Sequence, residues 1–237
     1  MQISPDDSTV LIGAPGLETK DPTVCPAVSA PQLHTSASAT SRSSTAFSAK
    51  LVKPTPLRAG QTTCNGAYLG TGSSVVVPAS ATCTLLSGTH VKLAVVVQSG
   101  GTLHINGVTI GGQLNIAGNA TVCGSRIGLG VKATRGSLAL GGPGCAGNKI
   151  TGNVLVQHDA NNVTVQRNKI TGNLTVKYGS GATDSIISNT VSAGLLVGYS
   201  GPPITISHNH AYTARCVYNK GQTGSGNVAQ GKNTCPH

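Results

Sequence analysis

The sequence predicts an all-β protein folded as a parallel β-solenoid, in which short strands stack in successive turns, here called rungs. The hexapeptide Asn-Lys-Ile-Thr-Gly-Asn occurs at 148–153 and again at 168–173, twenty residues later. Pairs of aliphatic residues two positions apart recur at similar intervals, which places both side chains of a pair on one strand face. The chain has 32 glycines, only 3% aromatic residues and no Trp, which indicates many turns around a narrow aliphatic core.

Residues 1–62 precede the repeats and differ from them in composition. They are rich in Ser, Thr, Ala and Pro, and 36–48 runs SASATSRSSTAFS without a sustained apolar period. Such a segment is typical of a disordered leader or linker, so we assign the solenoid to residues 63–237. The first residues lack the basic and apolar regions of a signal peptide, and no apolar run is long enough to span a membrane.

About eight rungs can be laid out from inward-facing pairs at the first strand of each rung. The intervals between successive pairs run from 17 to 23 residues. The predicted pairs are Val75/Val77, Val95/Val97, Leu114/Ile116, Val131/Ala133, Val154/Val156, Leu174/Val176, Leu195/Val197 and Cys216/Tyr218. A rung cannot bury its own apolar face, and stacking completes both the core and the backbone hydrogen bonds.

A second series follows the same register and contains asparagine. Inward-turning Asn at a bend can bond the backbone and the Asn of the next rung, as stacked Asn does in cross-β assemblies. The predicted ladder consists of Asn106, Asn148, Asn168, Asn189 and Asn209, with Ser125 in the equivalent place of one rung. We interpret these residues as structural.

Six of the seven cysteines are spaced by about one rung. The intervals are 19 residues for Cys64–Cys83, 22 for Cys123–Cys145 and 19 for Cys216–Cys235, which predicts three disulfides between neighbouring rungs. Cys25 is left over, free or available to cross-link two chains. Disulfides favour a secreted or cell-surface protein. No Cys/His cluster has zinc-ligand spacing, so neither a metal site nor a cofactor is predicted.

The repeats, the Asn series and the aliphatic pairs resemble the right-handed parallel β-helix of the pectin-lyase-like superfamily, over residues 74–235. The chain is also similar to secreted proteins of that class whose helix begins with Cys-Asn-Gly, here 64–66. The resemblance implies a right-handed helix. It carries no catalytic motif over to residues of this chain.

The charge is strongly basic, with 16 Lys and Arg against 6 Asp and Glu and a net charge of +10. Such a surface favours anionic partners, among which we expect an acidic polysaccharide or cell-wall polymer. The bases occur singly along the chain with little aromatic interleaving. This pattern is typical of diffuse solvated charge and argues against nucleic-acid recognition.

Enzymes of the resembled fold rely on acidic clusters, pectate lyases for calcium and polygalacturonases for acid and base. From residue 63 onward this chain has only Asp159 and Asp184, which fall at different points of the rung. Hydrolysis and a calcium site are therefore disfavoured. A polysaccharide lyase with a basic catalytic residue stays open as an alternative, from the bases Lys149, Arg167, Lys169 and Lys177.

The best candidate site lies two residues beyond successive inward pairs. His158, Tyr178 and Tyr199 occur at intervals of 20 and 21 residues, with Lys177 and Asp159 beside them and Tyr218 near the end of the series. Stacked rings at the edge of a solenoid face predict a platform for sugar rings. The competing interpretation is that these rings only cover the turn and shield the core.

Three functions follow as hypotheses. The favoured one is a secreted or cell-surface scaffold that binds a glycan or another anionic polymer without catalysis. The alternatives are a polysaccharide lyase or related carbohydrate-active enzyme on acidic polysaccharide, which has fold analogy alone behind it, and a self-assembling structural or adhesin repeat that forms a homo-oligomer.

Overall fold

The computed structural model describes residues 60–158, 162–180, 183–201 and 203–237. Within these ranges the chain consists of strands and turns without a helix, so the predicted all-β class is confirmed. The strands pair in parallel with their counterparts one rung away and form a β-solenoid of about eight rungs. All of the predicted leader before Gly60 lies outside the described residues, and Cys25 with it.

The strands form two sheets. The fourteen-stranded sheet contains β1 Gln61–Thr63, β3 Thr71–Val77, β5 His90–Val97, β7 Thr109–Ile110, β8 Gln113–Ile116, β10 Arg126–Ile127, β11 Gly130–Ala133, β13 Lys149–Ile150, β14 Asn153–Gln157, β16 Lys169–Ile170, β17 Leu174–Lys177, β19 Thr190–Gly198, β21 His210–Val217 and β23 Val228–Ala229. The nine-stranded sheet contains β2 Gly66–Tyr68, β4 Thr82–Leu85, β6 Thr102–Asn106, β9 Asn119–Cys123, β12 Leu138–Leu140, β15 Val163–Gln166, β18 Asp184–Ile187, β20 Ile204–Ser207 and β22 Gln222–Thr223.

Each middle rung has three faces in chain order. The nine-stranded sheet is the first face, the short strands β7, β10, β13 and β16 form the second, and β8, β11, β14 and β17 form the third. The second and third faces join in one sheet because β5, β19 and β21 continue through the corner between them. Alternate residues of a strand point to opposite sides of its sheet, so each face also carries outward-pointing side chains.

The register places the predicted inward pairs in one column, except for the last. Val154 pairs with Leu174 and Leu174 with Leu195. The last predicted pair, Cys216/Tyr218, is wrong by two residues, because Leu195 pairs with Ala214 and Val197 with Cys216. Ala214 is 1% exposed and fills the inward position, while Tyr218 lies beyond the strand at the corner.

The interior is a narrow aliphatic column. The largest fully buried side chains are all Leu or Ile, among them Leu103, Ile127, Ile150 and Ile186. Each such side chain contributes roughly 1.5–3 kcal/mol when it leaves water. Aliphatic side chains fill an interior this narrow without the aromatic residues that the composition lacks.

A buried asparagine column runs along the corner between the first and second faces. Its members are Asn148, Asn168, Asn189, Asn209 and Asn227, each at most 3% exposed. The Asn168 Nδ2 donates to Asn189 Oδ1 at 3.0 Å and to the Leu140 carbonyl at 2.7 Å. Its Oδ1 accepts from the backbone N–H of Asn148 at 3.0 Å and from Asn148 Nδ2 at 2.9 Å. The amide therefore has a partner in every direction it can bond.

Asn106 does not belong to this column, contrary to the prediction. It is an exposed outer residue at the end of β6. Val108 occupies the corner position of that rung, and its N–H donates to the Ser125 hydroxyl at 3.1 Å. The prediction placed Asn106 two residues early, because this rung turns at Gly107–Val108 without an asparagine.

Three disulfides join neighbouring rungs. They are Cys64–Cys83, Cys123–Cys145 and Cys216–Cys235, with Cα atoms 5.5, 5.4 and 4.8 Å apart. The first and third lie near the two ends of the described solenoid, where stacking has a neighbour on one side only. In the described ranges there is no helix that is both long and apolar enough to pass through a membrane.

We expect Asn168→Ala to lower the free energy of unfolding by roughly 3 kcal/mol or more, because it leaves several buried polar groups without a hydrogen-bond partner. Chemical denaturation monitored by circular dichroism measures this change. The matched control is Asn106→Ala, an exposed asparagine, for which we expect a loss of less than about 0.5 kcal/mol. Equal losses for the two variants would contradict a supporting role for the column.

Candidate functional site

Four rings follow the third-face strands at the corner that leads to the first face. We call His158, Tyr178, Tyr199 and Tyr218 the aromatic column. Register pairs immediately before them join Gln157 to Lys177, Lys177 to Gly198 and Gly198 to Val217. The structure thus brings together the three predicted residues and adds Tyr218 as the fourth.

The backbone at this corner is left-handed in every one of these rungs. The φ angles are 56° for His158, 57° for Tyr178, 60° for Tyr199 and 52° for Tyr218. Bulky residues rarely adopt this region, so its repetition shows that the corner itself requires it. The corner is held by bonds between rungs, such as the Tyr199 N–H donating to the Val217 carbonyl at 3.0 Å.

The rings stack on one another along the solenoid. Centroids are 4.9 Å apart for His158 and Tyr178, and 5.3 Å for each of the next two pairs, with interplanar angles of 9°, 20° and 27°. Tyr178 and Tyr199 are each 45% exposed and Tyr218 is 81% exposed. The column stands on the surface and does not shield the core.

This stacking changes the geometry that the sequence predicts for sugar contact. Inside the column each ring covers part of its neighbour's face, so the side of the column presents ring edges and phenol hydroxyls to solvent. An open ring face is available at the end of the column, on Tyr218. The column can therefore offer a line of hydrogen-bonding hydroxyls together with a terminal stacking surface.

Lys177 lies on the third face directly before Tyr178. It is partly buried and pairs with Gln157 in one neighbouring rung and with Gly198 in the other. It is thus the basic residue adjacent to the aromatic column in the chain. Asp159, the acidic residue predicted beside the column, lies outside the described residues.

A buried carboxylate sits behind the aromatic column. Asp184 is 2% exposed and occupies an inward position of the first face, between Val163 and Ile204 of the adjoining rungs. Its Oδ1 accepts from the Val163 N–H at 3.1 Å, and its Oδ2 accepts from the Ser200 hydroxyl at 3.1 Å. Oδ2 also approaches Gly179 so closely that a side chain there would overlap it.

The Asp184 carboxylate therefore touches the corner residues that follow two rings of the column. Gly179 comes after Tyr178 and Ser200 after Tyr199. Burial raises the pKa of Asp184 above its ordinary value of 3.8, and the hydrogen bonds from Val163 and Ser200 oppose that rise. The sequence shows where Asp184 lies in the rung but not that it points inward, since acidic residues are almost always exposed.

Across the part of the chain that the structure describes, no group of three or more His, Cys, Asp or Glu side chains is arranged to hold a metal ion. Asp184 accepts hydrogen bonds from Ser200 and from the Val163 N–H. The described side chains of the aromatic column offer hydrogen bonding and ring contact.

Comparisons with protein-family models, with curated proteins and with solved structures give no match to this chain. The parallel β-solenoid is established by the strand pairing itself. Membership of the pectin-lyase-like superfamily stays a prediction.

We expect Asp184→Asn to raise the thermal stability at pH 7. The folded protein binds a proton at Asp184 more tightly than the unfolded chain does, so ionisation of this group costs stability above the raised pKa. That cost disappears as the pH falls through the raised pKa toward 3.8, the ordinary value. Asparagine keeps an oxygen for the Val163 N–H without carrying the charge.

Thermal unfolding of wild type and variant between pH 4 and pH 8 tests this expectation. The advantage of the variant should be largest at neutral pH and should shrink toward pH 4. A constant difference across the range would show that ionisation of Asp184 does not contribute.

Proposed function

We propose that the chain is a secreted or cell-surface scaffold that binds a glycan or another anionic polymer without acting on it chemically. The observation that carries the proposal is the exposed aromatic column. Three of the five tyrosines of the chain stand in it, at 45%, 45% and 81% exposure. A chain with so few aromatic residues places most of its tyrosine where it adds nothing to the core.

The column suits an extended polymer better than a compact ligand. Its rings repeat at centroid spacings of 4.9 to 5.3 Å on a backbone that is hydrogen-bonded between rungs, so the row extends along the solenoid. Phenol hydroxyls both donate and accept hydrogen bonds, as sugar hydroxyls do. The open face of Tyr218 offers a surface on which a sugar ring can pack.

Charge and covalent chemistry support the same proposal. Residues 63–237 contain 11 bases and two acids, a balance that attracts uronates, sulfates and other anionic groups. The three disulfides are typical of proteins outside the reducing cytosol, where wall polymers and matrix glycans occur. Lys177 places one of these bases next to the rings.

We expect the double variant Tyr178→Asn/Tyr199→Asn to lose about tenfold in affinity for the glycan that the wild type binds, which corresponds to roughly 1.4 kcal/mol. Asparagine tolerates the left-handed backbone, so the corner is retained while the rings are removed. Binding is measured on a glycan array and then by calorimetry with the polymer that gives the strongest signal.

The matched control is Tyr212→Asn, which removes an exposed tyrosine outside the aromatic column, 59% exposed. It should bind as the wild type does. Equal losses in both variants, or no loss in either, would overturn the role of the column. The same polymers are assayed for unsaturated products that absorb in the ultraviolet, and their appearance would replace the scaffold proposal with a lyase.

A further inference from the structure

Three basic residues lie in one outer column on the second face. Arg126 pairs with Lys149, and Lys149 pairs with Lys169, in consecutive rungs. Parallel strands are about 4.8 Å apart, so the backbones of the three are separated by that distance per step. All three side chains are exposed. We call them the base column.

Nothing acidic in the described residues compensates this column. Like charges directly opposite each other on neighbouring strands are destabilising. The two acids of residues 63–237 are Asp159, which comes directly after His158 in the chain, and Asp184, which is buried inside the solenoid. Within the described residues no carboxylate therefore offsets the repulsion, which solvent and bound anions can relieve.

A groove of about 250 Å³ lies beside Arg126 and Lys149 of the base column, at the corner between the second and third faces. Its lining includes Thr109, Gly111, Arg126, Gly128, Lys149 and Thr151. Side chains at the two glycines would overlap backbone carbonyl oxygens of the preceding rung. Close stacking therefore keeps the groove floor bare, with bases on one side and hydroxyls at intervals.

The bases are unevenly distributed over the strands of the solenoid. The nine strands of the first face, as described, contain no Lys or Arg at all. The next residues in register after Lys169 are Thr190 and His210, so the base column spans three rungs. Arg126, Lys149 and Lys169, which occur singly along the sequence, become neighbours through the register.

We infer that the base column, with the groove beside Arg126 and Lys149, binds a linear polysaccharide with an anionic group on its repeating units, carboxylate or sulfate, aligned along the stack of rungs. The inference rests on the proposed function and names the ligand class and the face. A periodic row of cations fits periodic anions, and Lys169 continues this row one rung beyond the groove. The lining contains no aromatic residue, whereas single-stranded nucleic acid is bound through stacked bases.

The test compares two triple variants that remove the same charge. Arg126→Gln/Lys149→Gln/Lys169→Gln removes the base column, and Lys132→Gln/Arg215→Gln/Lys220→Gln removes three exposed bases elsewhere. Binding of polygalacturonate and of heparin is measured by calorimetry over a range of salt concentrations, with neutral dextran and single-stranded poly(dT) as comparison polymers. Circular dichroism verifies that both variants are folded.

We expect the base-column variant to lose at least tenfold in affinity for the carboxylated or the sulfated polymer and to show a weaker dependence on salt. The control variant should lose less than about threefold. Which polymer is bound more tightly distinguishes carboxylate from sulfate.

Equal losses in the two triple variants would reduce the effect to net charge and overturn the inference. Tighter binding of poly(dT) through the same three bases would overturn the ligand class. The variant Tyr178→Asn/Tyr199→Asn separates this inference from the proposed function. If only the tyrosine variant loses affinity, the groove is rejected and the aromatic column is retained. If only the base-column variant loses affinity, the aromatic column is rejected and the groove is retained.

Discussion

The structure depends on a buried row of asparagine amides that bond from one rung to the next. Each amide of Asn148, Asn168, Asn189 and Asn209 donates to the following Asn and to a backbone carbonyl at the end of a first-face strand. A buried amide is costly unless every group is paired, so the row tolerates only one register. Aliphatic contacts alone would permit neighbouring rungs to slide.

Because the register between rungs is fixed, residues one repeat apart in the sequence lie next to each other on the surface. Because inward positions are taken by the core and the asparagines, the outward positions are free to vary from rung to rung. Residues that lie 20 or more positions apart then become neighbours, as Lys149 and Lys169 do on the second face and Tyr178 and Tyr199 at the corner. The two candidate surfaces are separate products of the same stacking rule, one aromatic and one cationic.

Much of the fold could be predicted because burial alternates along many of the strands, as in β14 and β17. Val154 and Val156 show this, and the repeated hexapeptide aligns them with Leu174 and Val176. Asn106 was misplaced because its rung turns without an asparagine, and no local pattern reveals that. The left-handed corner at Tyr178 and the inward orientation of Asp184 depend on stacked neighbours, so the sequence does not show them. The predicted series, with Ser125 in the place of Asn148, already aligns Arg126 with Lys149, and the strand pairing shows the same alignment.

Disulfides that join only neighbouring rungs leave the number of rungs between them free to differ. Since each bridge closes within about one repeat, Cys64–Cys83 and Cys216–Cys235 hold the two ends without tying them to each other. Whole rungs between the ends can be added or removed by duplication or deletion of about twenty residues. An event within the rungs that carry a surface column would lengthen or shorten that column by one position, so the length of each column is set by the number of repeats.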